Sequence, residues 1–151
     1  MTTVRFLMLF MLLGCSKQEQ VTEVDFTFND SIDYYNHKKG IFVRSYLHKS
    51  DTLMLSLSAT EKEHIVKLYN KYNMQSIKKS YFPNTKGIDL PAIPLIITIG
   101  DTIQIVLYPA NYSLIDRIKI RNIENFYRDV NELLYRKESV KNLKESDMLF
   151  I

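Results

Sequence analysis

Residues 95–108 read Leu95-Ile96-Ile97-Thr98-Ile99-Gly100-Asp101-Thr102-Ile103-Gln104-Ile105-Val106-Leu107-Tyr108, two apolar runs about a Gly-Asp pair. Runs rich in Ile and Val on either side of such a pair are the signal for a β-hairpin. Side chains alternate faces along a strand, so loop length determines which residues share a face. A two-residue turn would scatter the large apolar positions over both faces. A three-residue loop, Gly100-Asp101-Thr102, instead gathers Leu95, Ile97, Ile99, Ile103, Ile105 and Leu107 on one face. Ile96, Thr98, Gln104 and Val106 then lie behind them. That rear face is half apolar, which places the hairpin at the centre of an antiparallel sheet.

The preceding chain supplies more strands. Val24, Phe26 and Phe28 alternate with Asp25 and Thr27, the period of a half-buried strand. Residues 29–40 are polar and read as a connection. A second hairpin runs over 41–48 and 52–57. Putting Ile41, Val43 and Leu47 on one face with Leu53, Leu55 and Leu57 requires an odd loop, three or five residues long. Arg44, Tyr46 and His48 then fall on the other face, with Met54 and Ser56.

Between the hairpins, Ser58-Ala59-Thr60-Glu61 has the form of a capping box, and Glu63 adds acid to the first turn. Ile65, Leu68, Tyr69 and Tyr72 follow at helical spacing, so a helix is expected over about 59–73. Residues 80–94 hold Pro83, Gly87, Pro91 and Pro94 and read as loop, with an extended piece at Tyr81-Phe82. Past Pro109, Ile118-Lys119-Ile120 suggests a short strand. Asn122 could cap a second helix carrying Ile123, Phe126, Tyr127, Val130, Leu133 and Leu134, with Val140 and Leu143 as an extension. The uncharged end, Met148-Leu149-Phe150-Ile151, is expected to pack on the domain. The order predicts an α+β fold: two layers, a mainly antiparallel sheet of four to six strands with two helices packed on one face.

The amino end carries a different message. Arg5 precedes the apolar run from Phe6 to Leu13, and Gly14-Cys15-Ser16 follows, the order of a secretory signal. The run is shorter than the roughly 20 residues that span a bilayer as a helix. Leu12-Leu13-Gly14-Cys15 resembles the lipobox of bacterial lipoproteins. The resemblance implies cleavage before Cys15 and a lipid on its thiol. The expected organisation is therefore a signal peptide at 1–14, a lipidated Cys15 with a flexible tether at 15–22, and one domain at 23–151. Ser16 at the next position is similar to lipoproteins sent to the outer membrane of Gram-negative bacteria. Lys17 with Glu19 resembles part of a surface-export signal. The element order, the segment 57–63 (Leu-Ser-Ala-Thr-Glu-Lys-Glu) and Asp89-Leu90-Pro91 before a hairpin resemble small uncharacterised lipoprotein domains of that envelope.

Composition narrows the function. Arg5 lies in the leader, so 20 basic side chains less one face 17 acidic ones. Near neutrality gives no reason to expect nucleic acid, whose binding rests on concentrated positive charge. The single cysteine, Cys15, is claimed by the lipobox, which leaves no disulfide framework and no thiol nucleophile. His37, His48 and His64 lack the spacing that brings two imidazoles to one metal. Asn29, Asp30, Ser31 and Asp33 begin like a calcium loop, but Tyr34 and Gly40 stand where that loop needs Gly and an acid. There is no nucleophile elbow, no phosphate-cradling loop and no dinucleotide fingerprint. Glu61 with Glu63 reads as helix-start charge, and Asp89 and Asp101 read as turn residues. No catalytic residue, metal site or cofactor is expected.

Of the ten tyrosines, Tyr69, Tyr72 and Tyr127 fit helical stripes. Tyr34, Tyr35, Tyr81, Tyr108, Tyr112 and Tyr135 have no face assigned by pattern. Tyr81, Phe82, Tyr108 and Tyr112, near the Pro-rich loop, form the candidate contact surface, since Tyr offers large area at modest ordering entropy. The expectation is a non-catalytic membrane-anchored lipoprotein, a binding or assembly module with an envelope protein as partner. The alternatives are an immunity-type lipoprotein that neutralises a toxin, and a small hydrolase using paired carboxylates.

Overall fold

A computed structural model describes residues 21–83, 85–86, 94–108 and 111–150. The leader, Cys15, most of the tether, Gly87, Asp89, Pro91, Pro109 and Ile151 lie outside the described residues. In chain order the elements are β1 (Phe26–Asn29), β2 (Asp33–Asn36), β3 (Ile41–Ser45), β4 (Ser50–Met54) and α1 (Ala59–Lys71). Then come β5 (Thr85–Lys86), β6 (Leu95–Ile99), β7 (Ile103–Leu107), β8 (Asn111–Tyr112), α2 (Leu114–Tyr135) and α3 (Glu138–Lys141). Six strands form one antiparallel sheet in the order β4-β3-β2-β1-β6-β7, and β5 pairs separately with β8.

One row of paired residues crosses the whole sheet: Leu53, Phe42, Tyr35, Phe28, Ile97 and Ile105. Five of these six are fully buried, and Leu53 packs against them. This face meets both long helices. The Phe126 ring lies edge-on to Phe26, Phe28 and Tyr69, at 5.3, 5.7 and 5.7 Å between centroids. One α2 side chain thereby joins the sheet to α1. Aromatic pairs in this geometry add to the stabilisation that burial alone provides. The result is the expected two-layer α+β arrangement.

The three-residue loop after β6 is present: Ile99 pairs with Ile103, and Ile97 and Ile105 are fully buried. The hairpin lies at the end of the sheet, however, not at its centre. The outer edge of β7 is met by one more extended segment. Tyr81 makes a parallel bridge to Ile105, accepts a hydrogen bond from the Val106 N–H at 3.1 Å, and donates its own N–H to Gln104 at 2.8 Å. The backbone at 81 thus satisfies part of an exposed edge.

The first hairpin has the opposite parity to the expected one. Ser45 pairs with Ser50, which leaves a four-residue loop, Tyr46-Leu47-His48-Lys49. Phe42 and Arg44 therefore face the helices, while Ile41 and Val43 are half-buried behind them. Two forces favour this register. The Phe42 ring removes more apolar area from water than Ile41 would, and Arg44 finds a buried carboxylate on β2. The carboxyl-terminal segment holds the loop from outside. The Leu47 N–H donates to Asp147 Oδ1 at 2.7 Å, and the Ser146 hydroxyl donates to the Ser45 carbonyl at 2.6 Å.

Residues 29–40 are not a plain connection but contain β2. Asp30 closes the tight turn before it, accepting from the Ile32 and Asp33 N–H groups at 3.1 and 2.7 Å. Helix α1 begins as expected. Ser58 Oγ accepts from the Glu61 N–H, and the Ser58 N–H donates to Glu61 Oε2 at 2.7 Å. Helix α2 begins nine residues earlier than Asn122 would place it, capped by Ser113, so residues 118–120 are helical. Val140 is buried on the separate short helix α3.

Candidate functional site

The start of α2 organises the aromatic residues singled out in the sequence. Helices expose unpaired N–H groups at their first turn, and Ser113 satisfies one by accepting from the Asp116 N–H at 3.3 Å. Asp116 in turn accepts from Ser113 Oγ at 2.7 Å and from the Tyr81 hydroxyl. The Tyr81 hydrogen bond, then that of Ser113, holds the Asp116 carboxyl below its usual range. Burial and the same carboxylate push the Tyr81 hydroxyl the other way, so it stays protonated. The Lys119 ammonium lies 3.8 Å from the Tyr81 ring centroid, a cation–π contact. The Tyr112 hydroxyl donates to the Tyr108 carbonyl, and the Tyr112 carbonyl accepts from Arg117 Nε at 3.2 Å.

Tyr81, Tyr108 and Tyr112 are thus brought together at one end of the molecule. Tyr81 and Tyr112 are largely committed to fastening strand edge to helix, and Tyr108 is half-buried. Phe82, the next residue in an extended run, turns away from α2 and is 62% exposed. Leu114 and Ile118 are also exposed, on the outer side of α2. The alternation of Ile118-Lys119-Ile120 imitates a strand and hides these two, since Ile118 faces out of the helix while Ile120 is buried.

A second concave region was not foreseen. His37, directly after β2, pairs in register opposite Phe26, and the two rings stack at 4.9 Å between centroids with planes 6° apart. His37 Nδ1 lies 3.1 Å from the Tyr35 hydroxyl. A groove of about 560 Å³ opens there between Asp25, His37, Lys38, Lys62 and Val66. A neighbouring one of about 330 Å³ shares His37, Lys38 and Lys62 with it. Burial, then the Lys62 charge, lowers the affinity of His37 for a proton, with Asp25 opposing. Burial, then Glu61, raises the Tyr35 pKa. Both groups are therefore neutral near pH 7, flanked by two ammonium groups. The sequence signal for this cleft is the alternation of Tyr35 and His37, inside a stretch whose polar composition resembles a loop.

Two further tyrosines hold α2 to the β2 end of the sheet. The Tyr127 hydroxyl donates to Asp30 Oδ2, and the Tyr135 hydroxyl to Asp33 Oδ2. Among the described residues, no group of three or more His, Cys, Asp or Glu could hold a metal ion. Among the same residues, no helix is long and apolar enough to cross a membrane. The architecture is that of a small α+β domain with a one-sided core. Comparison with protein-family models, with curated proteins and with solved structures gave no match to this chain.

Proposed function

We propose that this chain is a lipid-anchored binding module of a bacterial envelope that carries out no reaction. Cys15 bears the lipid, the polar residues that follow it form a tether, and the α+β domain contacts an envelope protein. The observation that carries this reading is the clamp where tether meets domain. Asn70 on α1 accepts from the Val21 N–H at 3.2 Å and returns a bond to the Val21 carbonyl at 3.0 Å. A chain with only five residues, 16–20, between a lipidated cysteine and a fixed point is built to hold a domain close to a bilayer.

The polar chemistry of the domain supports a binding role. Asp33, Arg44 and Tyr135, Asp30 and Tyr127, and Asp116 and Tyr81 are joined to one another in holding the fold. The exposed Phe82 offers a contact, since a solvent-facing aromatic at a sheet edge suits a protein partner. Two measurements test the proposal. Radiolabelled palmitate should enter the wild-type protein and not Cys15→Ser, and the variant should leave the membrane fraction. A photo-crosslinking residue at 82 should yield one discrete adduct in intact cells, whereas one at Lys67 on the solvated side of α1 should not. Palmitate incorporation independent of Cys15, or no adduct from position 82, would refute it.

A further inference from the structure

The outer side of the α2 start has no role in the binding surface just described, yet among the described residues it is the most apolar exposed part of a helix. Leu114 and Ile118 stand one turn apart, 77% and 74% exposed. On a helix, residues four apart share a face, so the two form a continuous ridge. Cations adjoin it: Arg117 and Arg121 are on the same helix, Lys119 lies beside the Tyr81 ring, and Lys78 and Lys79 directly follow Ile77, which lines one groove with Ile118. The one acid of the first turn, Asp116, is occupied by Tyr81 and Ser113. Exposed aliphatic side chains with Lys and Arg beside them match the boundary between acyl chains and anionic headgroups.

The position of this ridge relative to the tether fits the same surface. Ile118 and Lys119 line a groove of about 350 Å³ together with Tyr72, Asn73, Ser76 and Ile77. Tyr72 is the carboxyl-terminal cap of α1, and Val21 is clamped two residues earlier, at Asn70. The tether therefore enters the domain at the end that carries the ridge. Fully extended, the six residues 15–20 reach roughly 20 Å. A lipid on Cys15 would keep this end, and not the far end of the sheet, against the membrane.

We propose that Leu114 and Ile118, with Arg117, Lys119 and Arg121, dock the domain onto an anionic phospholipid surface and fix its orientation there. The inference rests on the anchored reading of Cys15. It goes beyond it by naming which face meets the bilayer, leaving Phe82 on the opposite side of the Tyr81 strand free for a protein partner.

The test uses the full lipoprotein reconstituted in vesicles. Mass spectrometry of the wild-type protein reports the Cys15 lipid separately, so failure of the anchor is distinguished from failure of the docking face. Ile118→Cys and, as a control on the solvated face of α1, Lys67→Cys are labelled with an environment-sensitive fluorophore. In phosphatidylglycerol vesicles the label at 118 should brighten several-fold, shift to shorter wavelength and be quenched by spin-labelled acyl chains, while the label at 67 stays unchanged. In phosphatidylcholine vesicles the change at 118 should be small. The pair Arg117→Glu and Arg121→Glu should reduce the anionic-vesicle signal about tenfold or more, since each cation near such a surface contributes a several-fold factor. An unresponsive label at 118, an equal response in phosphatidylcholine, or disulfide-linked dimers through position 118 in place of quenching would overturn the proposal. The last outcome would assign the ridge to a second copy of the chain.

Discussion

Arg44 on β3 and Asp33 on β2 face each other directly across the sheet and are joined by two parallel hydrogen bonds, Nε to Oδ1 at 2.9 Å and Nη2 to Oδ2 at 2.8 Å. Both are buried, at 8% and 6% exposure. The guanidinium also lies 5.3 Å from the Tyr135 ring centroid and 5.8 Å from that of Phe42. The hydrogen bond to Asp33 outweighs burial and raises the Arg44 pKa, so the guanidinium keeps its charge. Tyr135 at the end of α2 completes it by donating to the same carboxylate.

Removing one partner should be costly, because the other is left charged and buried. Arg44→Met should destabilise the domain by about 3–5 kcal/mol, and Asp33→Leu by a similar amount. The double variant should lose much less than the sum, since neither charge remains. Urea denaturation of the four proteins checks this. Additive losses would mean that the pair contributes no coupling.

His37 should make the domain sensitive to mild acid. Its folded pKa lies below the unfolded value of about 6.5, because of burial first and Lys62 second. The unfolded chain therefore binds the extra proton more readily, so stability is complete above pH 6.5 and falls as pH drops through that value. The urea midpoint should decline between pH 7.5 and 5.5, more steeply in Asp25→Asn, which removes the opposing charge, and less in Lys62→Met. If His37→Gln shows the same decline as the wild type, another group is responsible.

Two glycines with left-handed backbone should respond differently to a methyl group. Gly40 (φ +61°) would bring a Cβ within 2.9 Å of the Leu55 carbonyl oxygen, whereas Gly100 (φ +57°) has open space around it. Gly100→Ala should cost about 1–2 kcal/mol, the left-handed penalty alone. Gly40→Ala should cost more, since it also displaces the Leu55 N–H bond to the Gly40 carbonyl, now 2.7 Å. Thermal denaturation of the two variants gives the order, and equal losses would remove the steric argument.

The start of α1 is tied to the end of α2, so its cap should not behave as a local feature. Lys137 donates to Glu61 at 2.7 Å and to the Ser56 carbonyl at 3.3 Å. That bond, then the one from the Ser58 backbone, lowers the Glu61 pKa. Its stabilisation is present above the unfolded value and lost as pH falls through the folded one. Ser58→Ala should cost about 1 kcal/mol. Combined with Lys137→Met it should lose less than the sum, because both substitutions loosen the same carboxylate. Strict additivity in a double-mutant cycle would show the two contacts to be independent.

How much was legible varied with the range of the interaction. The capping box at Ser58, the stripe Ile65-Leu68-Tyr69 and the pairing of Ile99 with Ile103 rest on residues within one or two turns of each other. Strand β2 escaped notice because Asp33 and Asn36 look like loop residues until Arg44 and Tyr34 are seen beside them. The Ser113 cap was overlooked because Leu114 and Ile118 break the buried stripe of α2 by facing outward. Tyr81 and Tyr112 could be named from the sequence, but not their commitment to Asp116 and the Tyr108 carbonyl.

The chain alone determined the two amphipathic helices, the alternating strands, and hence a one-sided sheet covered by helices, because each follows from contacts between near neighbours in sequence. Only the tertiary structure decided the register of the first hairpin, the position of the second at the sheet's end, and which tyrosines remain free. Those depend on partners such as Asp33 for Arg44, or Tyr81 for the edge of β7, whose proximity no local pattern encodes.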